Sequence, residues 1–170
     1  MIYGVDVGMR RLAVASPDIG IFEKINLGNK IGNRRTELRT LARWFDELIV
    51  QGSDVWVESA IMGGAGNVQT AVKLAMTVGA IFASPGPASM QLVAPSSWKA
   101  AVCGHGHASK DDIRTWVENH LPESATACAD IEDLFDATCI AEYGRLAAEG
   151  GLAAPRSVSR RRHRAVLRAG

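Results

Sequence analysis

An α/β fold is predicted: a mixed five-stranded sheet, three antiparallel N-terminal strands followed by parallel crossovers, with helices on both faces. Three observations carry this. Three short β-branched or alternating runs open the chain close together. Helical periodicities then alternate with two further strand-like runs. The 170 residues also suit one domain, able to bury about 70% of the surface its unfolded chain would expose.

The elements follow in order. Ile2–Val7, Arg11–Ser16 and residues 20–27 are strands, separated by Gly8-Met9-Arg10 and by Pro17-Asp18 at spacings that suit a meander. Asn33 can cap a helix to about residue 50, with Leu38, Leu41, Phe45, Leu48 and Ile49 at helical spacing. Arg35, Arg39 and Arg43 form a second stripe, read as a solvated face with Arg43 and Glu47 at pairing distance. Asp54–Glu58 is a short buried strand. The glycine-rich segment Gly63-Gly64-Ala65-Gly66 leads into an apolar helix over 67–83, and Pro85-Gly86-Pro87 precedes a strand over 90–94. A loop rich in Gly and His follows, then helices over 109–120 and 131–148. Ser109 and Asp112 form a near capping box, with Asp in the usual Glu position. Residues 1–150 are therefore read as one folded domain and 151–170 as a basic tail expected to be disordered.

Composition narrows the function. A 47% hydrophobic content is too high for a disordered chain, and no run of roughly 18 apolar residues offers a membrane span. The opening MIYGVDVGMRR does not read as a secretory signal. Cys103, Cys128 and Cys139 are odd in number and lack CxxC spacing, which favours a reducing cytoplasm over a disulfide framework. The net charge of +1 hides an asymmetry. Six arginines and no acid lie in 156–170, whereas the first 155 residues carry 13 basic against 18 acidic side chains. A basic arm on an acidic body points to a polyanionic partner.

The acids carry the chemistry. Asp6 ends the apolar strand IYGVDV and Glu58 ends DVWVE, positions where a carboxylate is costly unless paired or metal-bound. Were these strands parallel neighbours, the two would emerge side by side and repel unless a cation sat between them. Asp133 and Asp136, three apart on the last helix, share a face, with Ile131, Leu134 and Phe135 holding that stretch to the sheet. Four such carboxylates suit hard divalent cations such as Mg²⁺. Two such ions can activate water against a phosphodiester.

Together, GVDVG with Asp6, VWVES with Glu58 and DLFDATCIAEY with Asp133 and Asp136 resemble the RuvC family of Holliday-junction resolvases, within the RNase H-like nucleases. NVQTAVKLAMTVGAIFA and PSSWKAAVCGHGHASKDDI, which brings Lys99 and Lys110, are similar to further family segments, in family order over about residues 2–143. The resemblance implies an RNase H-like nuclease domain. It also implies a homodimer that binds a four-way DNA junction and nicks two opposed strands, the two-fold axis matching the junction's pseudo-symmetry. Two Mg²⁺ per active site are implied, with Mn²⁺ an open substitute. Asp6 would bridge both ions, and Glu58, Asp133 and Asp136 would complete the ligands. Lys110 would stand near the scissile phosphate and Lys99 on the DNA backbone. Where relatives carry an aromatic wedge this chain has Ile61 and Met62, apolar residues that can also part a base step. Arg160, Arg161 and Arg162 lie beyond the resemblance and are expected to add non-specific phosphate contacts.

Other readings stay open. GVDVGMRRLAVASPD also resembles the opening of the YqgF group, RNase H-like proteins associated with RNA processing. A branched-DNA-binding protein without catalysis is the alternative from another class. Cys103, His105 and His107 have zinc-ligand chemistry, but their alternate spacing is tight for one ion, and a DNA-facing loop is the competing reading.

Overall fold

The computed structural model describes residues 1–28, 33–59 and 68–152. Ile61, Met62, Gly63 to Gly66 and Arg160 to Arg162 lie outside them. The sheet is mixed and five-stranded, in the order β3-β2-β1-β4-β5. β1 (Ile2–Val7), β2 (Arg11–Ser16) and β3 (Ile21–Asn26) form the antiparallel meander; β4 (Asp54–Glu58) and β5 (Ser89–Val93) are parallel to β1. Helices α1 (Arg34–Leu48) and α2 (Val68–Phe82) make the crossovers, and α3 (Pro95–Cys103), α4 (Lys110–His120), α5 (Pro122–Cys128) and α6 (Glu132–Ala148) follow.

Period-two alternation sorts the side chains between two cores. Tyr3, Val5, Leu12, Val14, Val55 and Val57 pack with Leu41, Phe45, Val78 and Ile81 of α1 and α2. On the other face, Ala13 and Ala15 pack with Trp98, Ile113, Val117, Leu134, Phe135 and Ile140 of α3 to α6. The α6 side is floored by small residues. A Cβ on Gly4 would lie 2.0 Å from the Ala137 carbonyl oxygen, and one on Gly144 would lie 2.3 Å from Trp56 Cδ1. Helix α6 therefore sits directly on β1 and β4, buried through most of its first three turns.

The expected caps form. Asn33 Oδ1 accepts from the Thr36 amide at 3.1 Å, and Ser109 and Asp112 close the reciprocal box. Three expectations are corrected. Residues 95–103 are helix rather than loop, and 122–128, unassigned from the sequence, form a further helix; each starts with Pro at its first position, where the missing N–H costs nothing. Ile131 is largely exposed, so Leu134 and Phe135 alone anchor the start of α6. Arg43 and Glu47 are both exposed and form no ion pair among the described residues. No described helix is long and apolar enough to cross a membrane.

Candidate active site

β1 and β4 are parallel neighbours with Val5 opposite Val57, so the next residues, Asp6 and Glu58, leave the sheet side by side. Asp6 shares the face of Gly4, and Gly4's contact with Ala137 brings Asp136 of α6 over the same strand ends. Asp6, Glu58, Asp136 and Lys110 line a cleft of about 940 Å³ whose other wall holds Arg10, Arg34 and Lys73.

Burial and mutual repulsion set the electrostatics. Asp6 is only 9% exposed. Burial first, then the charges of Glu58, Asp136 and Asp133, push its carboxyl from 3.8 up to about 7, against the weaker pull of Lys110. Burial also raises Glu58, although the Trp98 indole Nε1–H donates to Glu58 Oε2 at 3.0 Å. Asp136 is raised by burial despite its contact with Lys110. Its other oxygen, Oδ1, is buried with no hydrogen-bond partner. For Lys110 desolvation favours the neutral amine, but Asp136 and Glu132, the latter at 3.2 Å, outweigh it and the ammonium persists.

Three of the four expected acids thus line one cleft. Asp133 is buried nearby but turned to Arg11 of β2 at 3.3 Å and Lys24 of β3 at 2.5 Å. Lys99 donates to the Ala108 carbonyl at 2.9 Å and lies over the Trp98 ring, so it braces the loop before α4 rather than lining the cleft. Cys103 faces Cys139, and His105 is exposed near Asp112. As the side chains stand, no three His, Cys, Asp or Glu among the described residues are placed to share one metal ion.

Sequence reasoning missed Trp98 and the basic wall. Glu37 offered a signal: it falls on the stripe of Leu41 and Phe45, an acid on an apolar face like Asp6, and it is buried. It pairs with Arg10 at 2.8 Å and Arg34 at 3.3 Å.

No protein-family model and no curated protein matches the sequence. Among solved structures, RuvC of Thermus thermophilus superposes with a TM-score of 0.70 over 91% of this chain and 98% of that one, at 19% identity. This chain has the RuvC fold. The T. thermophilus RuvC structure in complex with a Holliday junction substrate gives 0.67 over 88% and 95% of the two chains, at 20% identity. The likeness is one of fold: the mixed five-stranded sheet of the RNase H-like class. On this RuvC fold the present chain sets Asp6 and Glu58 at adjacent strand ends, with Asp136 over them.

Proposed function

We propose that this chain is a Mg²⁺-dependent, structure-selective DNA endonuclease that resolves four-way junctions as a homodimer. The observation that carries this is the cleft in which Asp6, Glu58 and Asp136 converge beside Lys110, on the fold of a protein solved with a Holliday junction.

The residues fit divalent cations. An ion would give the orphaned Asp136 Oδ1 a partner and would offset the burial and repulsion that hold the Asp6 carboxyl at about 7. With no three of the described acids at one point, each ion would take one or two carboxylates and keep waters or substrate phosphate oxygens, which suits Mg²⁺. Asp6, Glu58 and Asp136 would hold the ions, and Asp133 would join on leaving Arg11 and Lys24. Bound there, two ions would polarise the phosphodiester and acidify the attacking water. The chain's own residues do the rest. The Trp98 indole fixes Glu58 Oε2, and Lys110, kept protonated by Asp136 and Glu132, can donate to a non-bridging phosphate oxygen as charge develops.

The homodimer is supported by α2. Val68, Val72 and Met76 recur every four residues and are 65%, 49% and 43% exposed, an apolar stripe left uncovered by the described residues. A second copy would cover it and supply the second cleft that paired nicks require.

Purified protein incubated with labelled four-way, three-way and linear DNA and with structured RNA, in Mg²⁺ or chelator, tests the reading. Paired Mg²⁺-dependent cuts in the four-way junction are expected. Tight junction binding without cutting would favour the non-catalytic binder, and cutting confined to RNA would favour the YqgF-like alternative.

A further inference from the structure

Arg35, Arg39 and Arg43 stand four residues apart along α1, all three exposed, on the side turned away from Leu41 and Phe45. None of the three guanidinium groups meets an acid among the described residues. Glu37 is taken up by Arg10 and Arg34, Asp46 accepts from Ser84 Oγ, and Glu47 is exposed without an ion pair. The arrangement works against the helix itself. Like charges four apart repel. Arg34, Arg35 and Arg39 also occupy the N-terminal half of α1, with Asp46 and Glu47 in its last turn, the reverse of what the helix dipole favours. The stripe therefore adds nothing to the fold. It stands out on a body whose first 155 residues carry 13 basic against 18 acidic side chains. At about 1.5 Å per residue the three arginines span about 12 Å of helix axis, the length of three to four phosphate steps of one DNA strand at about 3.4 Å each. Arg39 and Arg43 border a depression of about 590 Å³ with Thr36, Thr40, Ala42 and Asp46. The stripe starts beside the cleft, which Arg34 and Glu37 line from the same first turn of α1 as Arg35.

We propose that Arg35, Arg39 and Arg43 form a track for the phosphate backbone of a duplex arm of the DNA as it leaves the cleft of Asp6, Glu58 and Asp136. The inference rests on the reading of the chain as a junction nuclease and adds a substrate contact outside the cleft. Three unpaired guanidinium groups in line can follow one strand and release its counterions without having to give up a protein partner first. Contacts of this kind set position and orientation and carry no sequence information. They also offset the repulsion between the acidic body and a polyanion.

The test measures binding of a four-way DNA junction in chelator across about 50 to about 200 mM salt. The proteins are wild type, a triple variant combining Arg35→Gln, Arg39→Gln and Arg43→Gln, and a second triple variant with Lys at the same three positions. Thermal melting and light scattering are followed for each. The Gln variant is expected to bind more weakly at low salt, with a log–log salt slope shallower by about 3, one for each cation. It should melt no lower than wild type, because the charges it loses repel one another. The Lys variant should keep the wild-type slope, because the charges remain. An unchanged slope in the Gln variant overturns the track alone, and so does a Lys variant whose slope falls as far as that of the Gln variant. A Gln variant of lower mass in light scattering would place the stripe between copies of the chain and overturn the track as well. A wild type that binds no junction DNA, or binds RNA in its place, overturns the nuclease reading and the track with it.

Discussion

Gly4 lies directly under Ala137: a methyl group on the glycine would come within 2.0 Å of the alanine's carbonyl oxygen and 2.3 Å of the Ala141 nitrogen. Two residues along β1 from Gly4 is Asp6, and beside Ala137 is Asp136. The same close approach that seals helix to sheet therefore sets the spacing of two site carboxylates. Backbone cannot yield as a side-chain tip can. Gly4→Ala is expected to destabilise by about 1–3 kcal/mol, the usual cost of overpacking, or more. Urea denaturation reads the loss.

Asp6 makes stability depend on pH. Its folded value of about 7 lies above the ordinary 3.8, so the fold favours the protonated acid. That contribution is full below about pH 3.8 and is lost as pH rises through about 7. At about 1.4 kcal/mol per unit the loss reaches roughly 4 kcal/mol as an upper bound. In chelator, wild type is expected to weaken between about pH 5 and about pH 8. Asp6→Asn should flatten much of that decline, leaving the part due to Glu58 and Asp136, which shift in the same direction. Added Mg²⁺ should restore wild-type stability at high pH and do less for the variant. Chemical denaturation at the two pH values checks all three outcomes.

Trp98 tunes Glu58. With Trp98→Phe the carboxylate loses the donor that opposes its burial, so its proton affinity should rise further. The acid limb of the pH–rate profile for junction cutting should move to higher pH. A fixed limb with merely lower stability would show that the indole only fills space.

The meander and the two parallel strands were legible because alternation and turn residues act locally. Asn33 and Ser109 were legible as caps because a cap is a contact within four residues. Asp6 and Glu58 stood out as acids ending apolar strands, and the register bears out their adjacency. Helices α3 and α5 were hidden because they are short, nine and seven residues, with too few turns to show a periodicity, their starts marked only by Pro95 and Pro122. Asp133 could not be separated from Asp136 by spacing. Helical geometry gives a shared face, whereas Arg11 and Lys24, which turn Asp133 aside, come from strands over a hundred residues earlier. Of the partners of Glu37, Arg34 lies three residues before it on the same helix, within reach of helical spacing, whereas Arg10 comes from the turn after β1 and was unreadable.

The stripe on α2 makes its own test. Glutamate at Val72 or Met76 would place charge in an apolar contact between copies and leave the single chain untouched, since both side chains are already solvent-exposed. Light scattering is expected to report half the wild-type mass, and nicks in a four-way junction should become uncoupled. An unchanged mass would put the copy-to-copy contact elsewhere.

The most direct measurement is nicking of a labelled four-way junction by wild type, Asp6→Asn, Glu58→Gln and Asp136→Asn in Mg²⁺, with junction binding followed in parallel. Loss of cutting in all three variants with binding retained is expected, since each removes a carboxylate placed to hold the ions. Near wild-type cutting by Asp6→Asn would contradict the shared role of these acids.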